Sequence, residues 1–184
     1  MPWFTDMKKN SAYKVALSAI LCALALSLGF LESLIPPLPL FPPGAKPGFS
    51  NIITMFAAGN LGLPSAAVIA LVKGLFAFVT RGATAGIMSL SGGLLSAFAM
   101  YLLMRFARNF LGMVGISVIC AAVHNLGQLA AAVFITGTAD VIYYAPALLI
   151  FGVITGALTG IILGSVTPVL EKMKKHFYGL DNFK

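Results

Sequence analysis

The sequence predicts an all-α integral membrane protein: a bundle of six transmembrane helices with both termini cytoplasmic. Three observations predict it. Apolar residues make up 59% of the 184-residue chain and charged residues 9%, with mean hydropathy +0.97. Soluble domains carry roughly 25% charged residues, so most of this chain cannot face water. Six apolar runs approach the ~20 residues, with a lower limit of ~17, that a helix needs to cross a bilayer. The basic residues fall between those runs in a pattern that places three clusters on one side.

The first run, Ser11–Leu31, follows Lys8 and Lys9 and includes Lys14. It is longer than the ~7–15-residue apolar core of a signal peptide and ends at Glu32 and prolines with no A-x-A site, so it is expected to remain as a span. Residues 35–48, "IPPLPLFPPGAKPG", hold six prolines. They exclude a helix and favour stiff, extended backbone, predicting an outer loop. The second run, Phe49–Leu61, is short. "GNLGLPS" after it carries two glycines, an asparagine and a proline, which predict a tight turn and a short or tilted second helix. The remaining runs are Leu63–Thr80, Thr84–Phe106, Gly112–Ile135 and Val141–Val169.

Orientation follows from the cations. Lys8, Lys9 and Lys14, then Arg105 and Arg108, then Lys172, Lys174, Lys175 and Lys184 share one side of a six-span chain. Positive residues in short loops stay cytoplasmic. Residues 1–11 are then a cytoplasmic N-terminus, 170–184 a basic cytoplasmic tail, and 1–184 a single membrane domain. Glu32 ends the first helix at the outer surface, Lys46 and Arg81 fall outside, and Lys73 falls within a span.

Polar groups gather in the outer half. His124, Asn125 and Gln128 lie inside the fifth run, on one side of a helix by their i, i+3 and i+4 spacing. Such side chains are costly in hydrocarbon and face protein or a water-filled cavity. Two readings stand: interhelical hydrogen bonds, or contact with a ligand. Lys73 has the same two readings, an ion pair with Glu32 or, with Arg81, a pair of cations for an anionic or carbonyl-rich ligand. The candidate cup is Glu32, Lys46, Asn51, Lys73, Arg81, His124, Asn125 and Gln128. Phe76, Phe78, Tyr143 and Tyr144 at similar depth keep a flavin among the ligands considered, although interfacial belts use the same residues.

Two stripes of small residues complete the pattern. Gly152, Gly156, Gly160 and Gly164 recur every four residues and predict a groove for close helix packing. Ala12, Ala16, Ala19 and Ala23 form a stripe on the first helix, extended by Ser27. It suits packing within the bundle or docking of a second membrane subunit.

Several functions are excluded by what is missing. No G-x-x-x-x-G-K-[ST] loop binds ATP. Asp6, Asp140 and Asp181 are far apart in sequence and cannot cluster on Mg²⁺ with a diphosphate. No Ser/His/Asp or Cys/His set suggests an enzyme, and no catalytic residue or cofactor is expected. Cys22 and Cys120 sit in apolar runs and read as packing residues. His176, in the tail, cannot join His124 on a metal. The net charge of +7 reports topology, since no aromatic-interleaved basic patch suits nucleic acid.

"LESLIPPLPLFPPGAKPGFSNIITMFA", "SLSGGLLSAFAMYLLMR", "VGISVICAAVHNLGQLAAA" and "YYAPALLIFGVITGALTG" together resemble the Gx transporter family, whose members are often labelled heptaprenyl diphosphate synthase component I. The resemblance runs from Ala16 to Gly164. This family is similar to the S components of energy-coupling factor (ECF) transporters, six-helix proteins that bind vitamins from outside. The resemblance implies partners: a transmembrane coupling subunit and two ATPase subunits, which would consume the ATP. It implies docking of the coupling subunit on Ala12, Ala16, Ala19 and Ala23, a lid role for the Pro-rich loop, a small vitamin-like ligand, anionic or polar, and a bacterial plasma membrane. Prenyl diphosphate synthases use paired Asp-rich motifs on Mg²⁺, and this chain has none. The alternative reading is an accessory subunit of isoprenoid or quinone synthesis that binds a prenyl diphosphate and a soluble synthase.

Overall fold

The structure is a computed structural model that describes residues 11–34 and 48–177, with side chains for 15–34 and 48–169. The readings on 1–10, on most of the Pro-rich loop including Lys46, and on the end of the tail lie outside the described residues, as do the side chains of Ala12, Lys172, Lys174, Lys175 and His176.

The described residues form six α-helices and no strand. They are α1 (Ser11–Ser33), α2 (Asn51–Asn60), α3 (Leu63–Arg81), α4 (Ala83–Phe106), α5 (Arg108–Thr136) and α6 (Ala145–Phe177). A 3₁₀ segment, Ala139–Tyr144, leads into α6. The sixth span therefore begins in 3₁₀ geometry, where the sequence predicted helix from Val141. The turns sit where glycine permits them. Gly62, after Leu61, has φ +98° and opens α3 with Pro64 in its first turn, and Gly82 alone, at φ +92°, joins α3 to α4. Gly112, at φ +60°, kinks α5 one turn after its start. The predicted fifth span began at that residue.

Five segments are long and apolar enough to cross a membrane: Val15–Ser33, Leu63–Arg81, Ala83–Phe106, Arg108–Thr136 and Ala139–Val169. The helix missing from these five, α2, corrects the expectation of six full-length spans. α2 has ten residues, about 15 Å at 1.5 Å per residue, half of a ~30 Å hydrocarbon core. It is enclosed by α1, α3, α4 and α6. Thr54, Met55, Ala57 and Ala58 are fully buried. α2 is a half-helix packed into the bundle, with one face fully buried and Ile52, Ile53 and Phe56 half-buried.

Around α2 the long helices pack in chain order, α3 on α4, α4 on α5 and α5 on α6, with α1 against α3. The outer surface is Leu, Ile, Val and Phe, among them Val79, Phe134 and Ile150. Soluble monomers rarely expose such continuous apolar surface, whereas lipid accepts it. Gly152, Gly156 and Gly160 of α6 bring it against α5. A Cβ on Gly156 would lie 2.6 Å from Val118 Cα, and one on Gly160 2.5 Å from Val114 Cα. At Gly164, which is exposed, an added Cβ would lie 3.8 Å from Met113 Cβ, beyond that close contact.

Candidate ligand-binding site

A polar cavity lies among the end of α1, the segment that opens α2, the C-terminal half of α3, the first turns of α4, and α5 around His124 and Gln128. Its wall is Glu32, Gly48, Ser50, Lys73, Arg81, Ala85, Ser89, His124 and Gln128. The cavity is partly open, with about 280 Å³ of empty space that continues to the exterior.

Each wall residue reaches the cavity by a local rule. Lys73 and Arg81 are eight residues apart on α3, about 12 Å of rise. Lys73 is 5% exposed, far too deep for a surface lysine, while Arg81 is half-buried at the helix end. His124 and Gln128, four apart on α5, are each 4% exposed. They meet the cavity because α4 and α5 cross without side chains between them. A Cβ on Gly127 would stand 3.0 Å from Gly92 Cα, and one on Gly92 would stand 2.9 Å from His124 Nδ1. The Ser91 hydroxyl donates to Gly127 O at 2.9 Å across the same crossing.

Glu32 corrects its predicted place at the outer surface. It is 5% exposed, because the chain returning into α2 covers it. Its Oε1 accepts the backbone N–H groups of Gly48 (2.5 Å) and Phe49 (3.1 Å), and the Ser50 hydroxyl donates to Oε2 at 3.2 Å. The carboxylate therefore clasps the segment that opens α2, where free N–H groups and the helix dipole favour a negative charge. Lys73 and Arg81 lie within electrostatic reach of Glu32. Its hydrogen bonds among the described residues nevertheless go to the loop end, so it is a clasp on the wall and not a free acceptor.

The remaining predicted residues divide. Asn125 is off the wall: its Nδ2 donates to Leu148 O of α6 at 2.6 Å, the interhelical alternative. Asn51, also off the wall, donates to the Ser96 hydroxyl of α4 at 2.7 Å. The aromatics considered for a flavin stand elsewhere. Tyr143 is 86% exposed, Phe78 packs over Gly86, and Phe76 and Tyr144 do not line the cavity. Gly48, Ser50, Ala85 and Ser89 line it unforeseen, since small residues give no signal in an apolar sequence. Two wall residues keep buried polar atoms without a hydrogen-bond partner among the described residues, Arg81 at Nη1 and His124 at Nδ1. No cluster of three or more His, Cys, Asp or Glu residues suits a metal among the described residues.

On α1 the small-residue stripe faces outward. Ala16, Ala19, Ala23 and Ser27 are exposed, while Leu21 and Ala25 on the opposite face are buried against the bundle. The family model described as heptaprenyl diphosphate synthase component I matches residues 21–166. No curated protein and no solved structure matches the chain.

Proposed function

The chain belongs to the family described as heptaprenyl diphosphate synthase component I, and from that premise we propose that it is the substrate-binding membrane subunit of an ECF-type importer, a binding protein and not an enzyme. The observation that carries this reading is the cavity at the junction of Lys73, Arg81, His124 and Gln128. Charged and amide side chains at that depth mark a site for a polar ligand.

Two further features support it. The chain has no P-loop, so energy comes from partners: a coupling subunit and two ATPases. The exposed stripe Ala16, Ala19 and Ala23 offers a flat surface on which a partner helix can approach closely. A small vitamin-like ligand is captured from outside at the cytoplasmic membrane, and the bundle then turns against the coupling subunit to release it. The cavity must widen to admit more than a ligand's polar head, and α2, which does not span, is the element whose shift costs least lipid contact.

The description of the family favours a second reading, an accessory subunit that binds a prenyl diphosphate and anchors a soluble synthase. Affinity purification from membranes in mild detergent separates the two. Recovery of ATPase and coupling subunits supports import. Recovery of a prenyl synthase without them overturns it.

A further inference from the structure

We infer that the cavity is an oxyanion seat, in which Lys73 and Arg81 hold a carboxylate or phosphate group of the ligand. The inference deepens the binding-subunit reading and rests on it for the cavity being the ligand's place.

Charge accounting leads there. The ionised groups on the described wall are Lys73, Arg81 and Glu32. Glu32 offsets one positive charge at most, and its two oxygens already accept three hydrogen bonds from Gly48, Phe49 and Ser50. One net positive charge is left in a site whose lysine is 5% exposed. Arg81 adds a buried Nη1 that has no partner among the described residues. A desolvated cation without a counterion is costly, and two cations on one cavity raise each other's cost. The other polar side chains at hand, Ser50, Ser89, His124 and Gln128, are neutral or able to donate, and none supplies a second negative charge.

The missing partner is therefore an anion. A guanidinium fork beside an ammonium suits the paired oxygens of a carboxylate or phosphate better than a single-atom ion. The space agrees in scale: a partly open cavity of about 280 Å³ has room for a carboxylate or phosphate group. Lys73 and Arg81 occupy one helix face region two turns apart, so the seat lies between mid-bundle and the end of α3.

The test uses the full chain purified in a non-ionic detergent. Thermal unfolding is followed with a thiol-reactive dye, since Cys120 is a free, fully buried thiol until the bundle opens. Sodium phosphate and sodium succinate are titrated against sodium chloride at constant ionic strength. In a parallel arm phosphatidic acid is added to the micelles. A saturable rise in Tm with the soluble salts identifies a soluble oxyanion ligand, and a rise with the lipid alone identifies a lipid headgroup; both support the seat. Arg81→Gln is expected to weaken the responding anion at least about tenfold, the scale of one charge-assisted hydrogen bond. Lys73→Met is expected to raise the Tm of the anion-free protein and abolish the response, because it removes an uncompensated buried charge.

The seat is overturned if no oxyanion raises Tm above chloride, if Arg81→Gln leaves the midpoint unchanged, or if Lys73→Met lowers the anion-free Tm, which would show the lysine satisfied within the protein. Recovery of the coupling subunit is independent of all three results. Import with a neutral ligand would survive loss of the seat, and the seat would survive loss of import.

Discussion

Adding one methyl group along the glycine ridge of α6 should give opposite results eight residues apart. At Gly156 and Gly160 the new Cβ would fall 2.6 Å from Val118 Cα and 2.5 Å from Val114 Cα, backbone atoms that cannot turn away. Carbon atoms pack at about 3.5–4.0 Å, so α5 and α6 must part by roughly 1 Å. Overpacking of that kind costs about 1–3 kcal/mol, against a gain of up to about 1 kcal/mol from replacing glycine with alanine in a helix. Gly156→Ala and Gly160→Ala should thus lose about 1–2 kcal/mol net. At Gly164 the nearest neighbour is Met113 Cβ at 3.8 Å, ordinary contact, and Gly164→Ala should be neutral or gain up to about 1 kcal/mol. Gly152→Ala should fall between, since it meets the Asn125 side chain at 2.7 Å and displaces the bond to Leu148. Denaturant unfolding at fixed micelle composition measures the series. Equal losses at Gly160 and Gly164 would refute the register of α6 on α5.

Glu32→Gln keeps an acceptor for Gly48 and Phe49 but removes the charge. Stability should fall by about 1–3 kcal/mol, while the phosphate midpoint in the dye assay should tighten, since the carboxylate no longer competes for Lys73 and Arg81. A weaker midpoint would mean that Glu32 helps to bind the anion. Asn125→Leu should cost about 1 kcal/mol in unfolding and leave the phosphate midpoint unchanged, because its amide serves α6; a shifted midpoint would put Asn125 on the ligand. Ala19→Trp and Ala23→Trp, on exposed positions, should keep unfolding stability within about 0.5 kcal/mol of the parent's yet lose the coupling subunit in the pull-down. Retention of that subunit by both would move the docking surface off α1.

The helices were legible because a bilayer demands long apolar segments and because glycine and proline must stand where the chain turns. The Gly59–Ser65 turn follows from those two rules, and Gly62 within it has positive φ; the fifth helix instead starts at Arg108, four residues before the predicted Gly112, where the positive φ is a kink. What hydropathy could not tell is who buries an apolar segment. α2 reads like a shortened span, but Met55, Ala57 and Ala58 are buried in protein, with Ile52, Ile53 and Phe56 half-buried beside them. Lipid and protein interiors ask the same of a side chain, so length was the sole clue, and ten residues are too few to cross. A chain that enters halfway also carries irregular backbone to membrane depth, where it needs its own donors and acceptors satisfied. Glu32, read from sequence as a residue at the surface, meets that need.

The site was legible as a set of residue types and not as a set of contacts. Hydrocarbon tolerates neither Lys73 nor the group His124, Asn125 and Gln128, so each had to face something polar. Spacing alone left that partner open. Adjacent residues on a helix point about 100° apart, which is why His124 and Gln128 turn to the cavity while Asn125 turns to Leu148 of α6. The same ambiguity decides the charge of the site. Counted from the sequence, Glu32 offsets one cation of the cup and could have been the direct partner of Lys73. With its oxygens committed to Gly48, Phe49 and Ser50, it closes the return of the chain into α2, and the balance at the cavity stays positive. A carboxylate spent on backbone geometry thus leaves the cations to be answered by whatever the cavity receives.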